Sequence, residues 1–327
     1  MNILNDLKKG KRGAIAKAIS IIENDKKEAS HLIKKIFPDS GNSIIIGITG
    51  PAGAGKSSLI NKTVLELKKQ GVSSAVLAID PTSHVSGGAI LGDRVRMTES
   101  TDSGTYIRSM ASRGATGAIS RSIRNSIRVL EYAGFDPIII ESVGAGQTEI
   151  EISNISDITV VVFNPHTGDS IQTIKAGLTE IGDIYIVNKS DLDGASQLFD
   201  AVQDYIGSAS SDKITVLKTS IKTNEGISRF AKKLKELMKE KQKTKKEREK
   251  KCLEFELRDI ILNIVKEKID IMSEDKTYTK YLKLVQSKKM APMDAAEKTS
   301  KLILKWGKWK QRTLKIKKNF LLIQTFQ

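Results

Sequence analysis

Residues 43–57 read SIIIGITGPAGAGKS, a β-branched apolar run that turns through spaced glycines into a lysine and a serine. The run Ser43–Ile48 has the composition of a strand buried on both faces. The residues behind it, Gly50-Pro51-Ala52-Gly53-Ala54-Gly55-Lys56-Ser57, meet the pattern G-x-x-x-x-G-K-[ST] at every position. Glycines there let backbone N–H groups turn inward around phosphate oxygens, including at positive φ. A helix expected from Ser57 to about Gln70 points the positive end of its dipole at the same charge. Lys56 can then reach the β- and γ-phosphates, and the Ser57 hydroxyl can ligate magnesium. The phosphate-binding candidates are therefore Gly50, Ala52, Gly53, Ala54, Gly55, Lys56, Ser57 and Ser58. The strand–loop–helix setting separates this reading from a glycine-rich turn with an incidental lysine.

Outward from this stretch, further strand-like runs stand at 74–80 (SAVLAID), 136–142 (DPIIIES), 157–163 (DITVVVF), 183–188 (DIYIVN) and 213–219 (KITVLKT). Helix-like segments long enough for crossovers lie between most of them. Continuous apolar strands alternating with helices predict a doubly wound α/β domain with a largely parallel sheet. Residues 5–36 carry helical periodicity up to the break at Pro38-Asp39-Ser40-Gly41. Beyond about residue 226 the strands stop. In the helical stretch that follows, Leu253, Leu257, Ile260, Ile261, Ile264 and Val265 fall on one face. Asp294 and Glu297 resemble a capping box that opens a further helix after Pro292. The expected divisions are an N-terminal helical extension (1–40), a nucleotide-binding domain (41–245), a C-terminal helical arm (246–305) and a basic tail (306–327).

Composition narrows the setting. At 327 residues and 39% hydrophobic, the chain can hold one large α/β domain plus helical extensions. No run approaches the eighteen or so apolar residues of a membrane span, so no membrane association is expected. The opening MNILNDLKKGKRG lacks the apolar core of a secretory signal, and Cys252 is the single cysteine. A cytoplasmic protein is expected. The net charge of +16 raises an anionic partner, but EKQKTKKEREKK (240–251) mixes in glutamates and reads as a solvated helix face. With 5% aromatics the chain lacks stacking platforms, so nucleic acid is not expected as a partner.

The base is read from Asn188-Lys189-Ser190-Asp191, which follows the strand DIYIVN and matches N-K-x-D. The aspartate can accept from guanine N1–H and the 2-amino group, a pair of donors adenine does not offer. Asn188 can hold the other edge of the base, and the Lys189 stem can pack on its face. After the next strand, the N–H of Ser220 or Ile221 can meet guanine O6. GTP is thus favoured over ATP. Magnesium calls for carboxylates at strand ends, where ligands bind in open α/β sheets. Asp80 and Glu141 occupy such ends, and Asp93 lies on a glycine-rich stretch. Glu141-Ser142-Val143-Gly144 takes the place of D-x-x-G, so Gly144 can offer its N–H to the γ-phosphate.

Taken together, GITGPAGAGKSSLI, VLAIDPTS, GGAILGDRVRM, YIRSMASRGATG, IIIESVGAGQTEIEI and DSIQTIKAGLTEIGDIYIVNKSD resemble the ArgK/MeaB/MMAA-type P-loop GTPases. The resemblance runs from residue 10 to about 230 and weakens through the C-terminal helices. It implies GTP/GDP and Mg²⁺ as ligands, and a GTPase that chaperones an adenosylcobalamin-dependent acyl-CoA mutase, typically methylmalonyl-CoA mutase. Such proteins gate cofactor loading, protect or reactivate the mutase, and form homodimers through C-terminal helices. Carried onto this chain, Lys56, Lys175 and Glu141 bear on catalysis, and Ser57, Asp80, Asp93 and Glu141 surround the metal. Lys175 would stabilise charge on the transferring phosphoryl group. Residues 165–175 would form an extra switch. There the family's Pro-Gly-x-Gly-Asp stands here as Pro165-His166-Thr167-Gly168-Asp169, which removes one glycine's φ freedom. Gln147 is not placed to orient water as in small GTPases, so hydrolysis is expected to be slow until the partner accelerates it.

Other readings compete. An older family label is a kinase of a lysine/arginine/ornithine transport system. A metal-insertion GTPase would need a Cys/His constellation, whereas Cys252 reads as core and His31, His84 and His166 are scattered. A targeting GTPase would want a methionine-rich domain. A nucleotide-locked scaffold is disfavoured by intact Lys56, Ser57 and Glu141.

Overall fold

A computed structural model describes residues 3–80, 104–111, 118–142, 152–166, 181–209 and 214–304. Among the described residues, seven strands form one sheet: β1 (Ile45–Thr49), β2 (Ala75–Asp80), β3 (Tyr106–Ala111), β4 (Ile138–Glu141), β5 (Ile158–Phe163), β6 (Ile184–Asn188) and β7 (Thr215–Thr219). Their order is β3-β2-β4-β1-β5-β6-β7, and every pairing is parallel. Every residue of β1, β4, β5 and β6 is buried, which is why these strands read as unbroken apolar runs.

The pleat sends alternate residues to opposite layers. Ile45, Leu77, Ile138 and Ile140 join a core with α1 (Ile3–Lys8), α2 (Arg12–Asn24), α3 (Lys26–Ile36) and α5 (Ala118–Tyr132), built around Leu7, Ile15, Ile19, Ile36 and Leu130. Ile46, Ile48, Val76, Ile139 and Val160 face the other way. They pack against Leu59, Val64 and Leu67 of α4 (Lys56–Lys69) and Phe230 and Leu234 of α7 (Ile227–Ser273). A third cluster sets Val161, Phe163 and Tyr185 against Leu198, Val202 and Ile206 of α6 (Ala195–Ala209). The sheet is thus covered on both faces, as the sequence pattern requires.

Several local readings are corrected. The periodicity over 5–36 resolves into three helices. Asp25 stops the second, and its side chain accepts from Lys27 and Glu28 N–H at 2.9 Å to cap the third. Strand β3 has no counterpart among the expected strands. Its run YIRSMA carries Arg108, whose guanidinium bonds Glu23 of α2 at 2.7 Å, so the strand lacks an apolar signature. Among the described residues it is an edge strand, paired with β2 on one side. The stretch 240–251 is not simply a solvated face. Lys241 pairs with Asp183 at 2.6 Å, Lys245 pairs with Asp157 at 2.6 Å, and Arg248 reaches the same Asp157 at 3.5 Å. Asp157 and Asp183 precede β5 and β6 and also accept the N–H groups of Ile45 and Thr159 at 2.8 Å. Residues 241, 245 and 248 share one helical stripe, and that stripe docks at the N-terminal edge of the sheet. Cys252 is half-buried rather than core, with its thiol directed at the Asn154 carbonyl at 3.7 Å.

Backbone packing divides the chain into two compact units, Met1–Leu253 and Glu254–Gln327. In the second, α8 (Lys276–Gln286) packs on α9 (Pro292–Leu304). Helix α9 begins at Pro292, not Asp294. A proline at the first helical position loses no hydrogen bond, and Asp294 then sits in the first turn, where negative charge is favoured. The expected basic tail lies outside the described residues. No helix among the described residues is long and apolar enough to cross a membrane.

Candidate functional site

The loop 50–55 lies over the middle of the sheet, between the ends of β4 and β5. Gly50 has φ 141°, and a Cβ there would stand 2.1 Å from the Val162 carbonyl oxygen. Gly55 has φ 86° and precedes α4; a Cβ there would stand 2.4 Å from Asn188 Nδ2. At both positions glycine is required by conformation and by space. The loop closes on Lys56, which is buried, with its Nζ donating to the carbonyls of Gly50 at 2.8 Å and Pro51 at 3.0 Å. A phosphate entering the loop competes with those carbonyls for the ammonium. Ser58 follows in the first turn of α4.

Ser57 Oγ donates to Glu141 Oε1 at 2.6 Å, and both residues are buried. A hydroxyl and a carboxylate oxygen at this separation are hard donors that fit magnesium. When bound, magnesium supplies charge neutralisation between phosphate oxygens. Glu141 is held in place by its strand neighbour. Ser142 N–H donates to Ile48 O at 3.0 Å and Ser142 Oγ to Thr49 Oγ1 at 2.9 Å, which ties the end of β4 to that of β1.

The guanine-motif residues converge on the same loop. Asn188 is fully buried; its Nδ2 donates to Ala54 O at 2.8 Å, and its Oδ1 accepts from Thr219 Oγ1 at 3.0 Å. Asn188 is therefore a strut from the phosphate loop to β7, in addition to any contact with a base. Lys189, at φ 57°, donates from Nζ to Gly53 O at 3.0 Å, so its stem crosses the loop. Ser220 Oγ donates to Asp191 Oδ1 at 2.5 Å, and this bond holds the Asp191 carboxyl below its ordinary value of 3.8. The Ser220 N–H already donates to Glu225 O at 3.0 Å, which leaves the Ile221 N–H as the better candidate for guanine O6.

Of the other expected residues, Asp80 is the last residue of β2, with its backbone beside Ala111. Asp93, Gly144 and Lys175 lie outside the described residues, as do Gln147 and Thr167-Gly168-Asp169. Sequence reasoning missed Ser142, Asn164 and Thr219 as structural parts of the site. Each is a polar residue at the mouth of an apolar strand, and that position is the available signal.

Three comparisons bear on this geometry. A family-wide sequence profile described as "Methylmalonyl Co-A mutase-associated GTPase MeaB" matches residues 15–274. A protein of Pyrococcus abyssi named as a GTPase is 39% identical over 315 residues, covering 93% of this chain and 97% of its own length. The mouse mitochondrial methylmalonic aciduria type A homolog is 37% identical over 202 residues, covering 57% of this chain and 49% of that one. A solved structure described as an LAO/AO transport system kinase superposes with a TM-score of 0.68. It shares 22% identity and covers 92% of this chain and 96% of that one, a likeness that speaks to the fold alone. A P-loop fold of this kind binds GTP with magnesium in general. With that fold and site in place, and a profile matched over most of its length, the chain belongs to the MeaB family of GTP-hydrolysing P-loop enzymes.

Proposed function

We propose that this GTPase serves an adenosylcobalamin-dependent acyl-CoA mutase, methylmalonyl-CoA mutase or a close relative, by gating cofactor loading and by protecting or reactivating the enzyme. The observation that carries the reading is the family match over residues 15–274, whose description names a mutase-associated GTPase. In this reading Gly50 to Ser58 hold the phosphates, with Lys56 on the β- and γ-phosphates and the Gly144 N–H on the γ-phosphate. Ser57, Asp80, Asp93 and Glu141 serve magnesium, and Lys175 stabilises charge on the transferred group. Asn188, Lys189, Asp191 and the Ile221 N–H read guanine. The helical arm 246–305 serves homodimerisation, and the protein acts in the cytoplasm.

The test is GTP hydrolysis by the purified chain with and without a purified adenosylcobalamin-dependent mutase, alongside a pull-down between the two. Stimulated turnover with co-purification supports the proposal. Fast turnover by the isolated chain, with neither binding nor stimulation by the mutase, overturns it and leaves a GTPase with another client.

A further inference from the structure

Asn164 follows the last residue of β5 and is buried, with 3% of its surface exposed. Both ends of its amide are engaged. Nδ2 donates to the Gly53 carbonyl at 3.0 Å, and Oδ1 accepts the His166 N–H at 2.8 Å. A single side chain thus joins the phosphate loop to the chain that leaves β5. The second bond closes an Asx turn over Pro165, whose ring fixes φ in that turn. The Gly53 carbonyl also accepts from Lys189 Nζ at 3.0 Å. It is therefore the junction of the phosphate loop, the guanine motif and the exit of β5.

We propose that Asn164 is a positioning residue that couples the phosphate loop to the backbone at His166, so that a nucleotide-dependent shift at Gly53 is passed on to position 166. The source of the shift lies in Lys56. Its ammonium holds the Gly50 and Pro51 carbonyls at 2.8 and 3.0 Å, and recruitment by the phosphates of a bound nucleotide, the β-phosphate first, takes it away from them. A hydrogen bond stretched past about 3.5 Å is lost. A shift at Gly53 therefore either carries Asn164 with it or releases it, and both change the turn that ends at His166. The coupling also accounts for a histidine where the resemblance expects glycine. A turn pinned by Asn164 and Pro165 does not need the φ freedom of glycine, and it places an exposed side chain at the end of the link. The inference rests on residues 53, 164 and 166 and is independent of which partner the GTPase serves.

The experiment follows the His166 imidazole by NMR in the full chain, free of nucleotide, at saturating GDP and at saturating non-hydrolysable GTP analogue with magnesium. The chain has 3 histidines, and His166→Gln assigns the signal. The wild-type signal is expected to differ between the nucleotide-free and the nucleotide-bound chain. Asn164→Asp keeps an acceptor for the His166 N–H but, ionised, has no donor for Gly53. It is expected to lose the difference, as is Asn164→Ala. Should the alanine variant fail to fold, the aspartate variant decides alone. A wild-type signal indifferent to nucleotide overturns the proposal, as does a difference that survives in Asn164→Asp. A general loss of packing would instead disturb the His31 signal as well, which the proposal expects to stay where it is.

Discussion

At the scale of single residues, the proposed base selection rests on Asp191. Its carboxyl lies below 3.8 because the Ser220 hydroxyl donates to it at 2.5 Å. A depressed carboxylate stays ionised above its ordinary value and loses charge only as pH falls through the lower, folded one. GTP affinity due to Asp191 should therefore be flat between about pH 5 and 8. Asp191→Asn removes a charged acceptor worth about 1.5–3 kcal/mol, so GTP affinity should fall roughly 10- to 150-fold. The new amide N–H can donate to the 2-oxo group of xanthine, so XTP affinity should rise. Fluorescent-nucleotide titration with GTP and XTP checks both; an unchanged GTP affinity would remove Asp191 from base recognition. Asp191 was legible because N-K-x-D is contiguous and follows a strand, as was Lys56 for the same reason. Asn164 was not, since a lone polar residue after VVVF is what any strand exit shows, and its partner Gly53 is 111 residues away.

At the scale of elements, the long helix α7 tests what a basic run is for. Lys245 and Asp157 keep 11% and 6% of their side-chain surface, while Lys241 and Asp183 keep 27% and 26%. Lys245→Met leaves the nearly buried Asp157 with Arg248 at 3.5 Å and the Ile45 N–H, so the loss of this charged hydrogen bond should cost about 1.5–3 kcal/mol. Lys241→Met should cost less than about 1 kcal/mol, since its pair is partly solvated. Urea unfolding of both variants checks the ranking, and equal costs would mean that the stripe is not clasped at Asp157. The first acceptors of the clasp, before β5 and β6, lie about 60 to 90 residues from it in sequence, which is why periodicity alone gave a solvated face. The edge strand β3 escaped for a related reason: its partners, not its own pattern, supply its context. Helix α5 offers a pH test. Burial pushes the Glu131 carboxyl above 4.5, against the opposing N–H bonds from Gly41 and Ser43. The folded state then holds this proton more tightly than the unfolded chain does. Its contribution is present in full below the unfolded value and is eroded as pH rises through the raised, folded one. Glu131→Gln should flatten the dependence of unfolding free energy on pH just above 4.5, measured by urea midpoints at closely spaced pH values.

At the scale of the whole molecule, the second unit exposes more apolar surface than a lone protomer would be expected to leave bare. Leu257 is 59% exposed, Ile261 51%, Leu262 67%, Ile264 46%, Val265 37%, Ile269 41% and Ile271 56%. Of these, Leu257, Ile261, Ile264 and Val265 lie on the face that periodicity assigns to one stripe. Isolated exposed apolar residues need no explanation, but a continuous run along several turns marks an association surface. A second copy of the chain is the occupant favoured by the homodimers of the family resemblance. Each Leu, Ile or Val covered contributes about 1.5–3 kcal/mol, so the stripe can hold a dimer at micromolar concentration or below. Sedimentation equilibrium should therefore give twice the 35.9 kDa of one chain. Ile261→Asp combined with Val265→Asp, one turn apart, places two charges in the covered face and should return the monomer. Because the nucleotide site lies in the first unit, GTP affinity should stay within about threefold of wild type. A wild type that sediments as a monomer, or a double variant that remains dimeric, would mean that this face is covered by some other molecule or that dimerisation runs elsewhere.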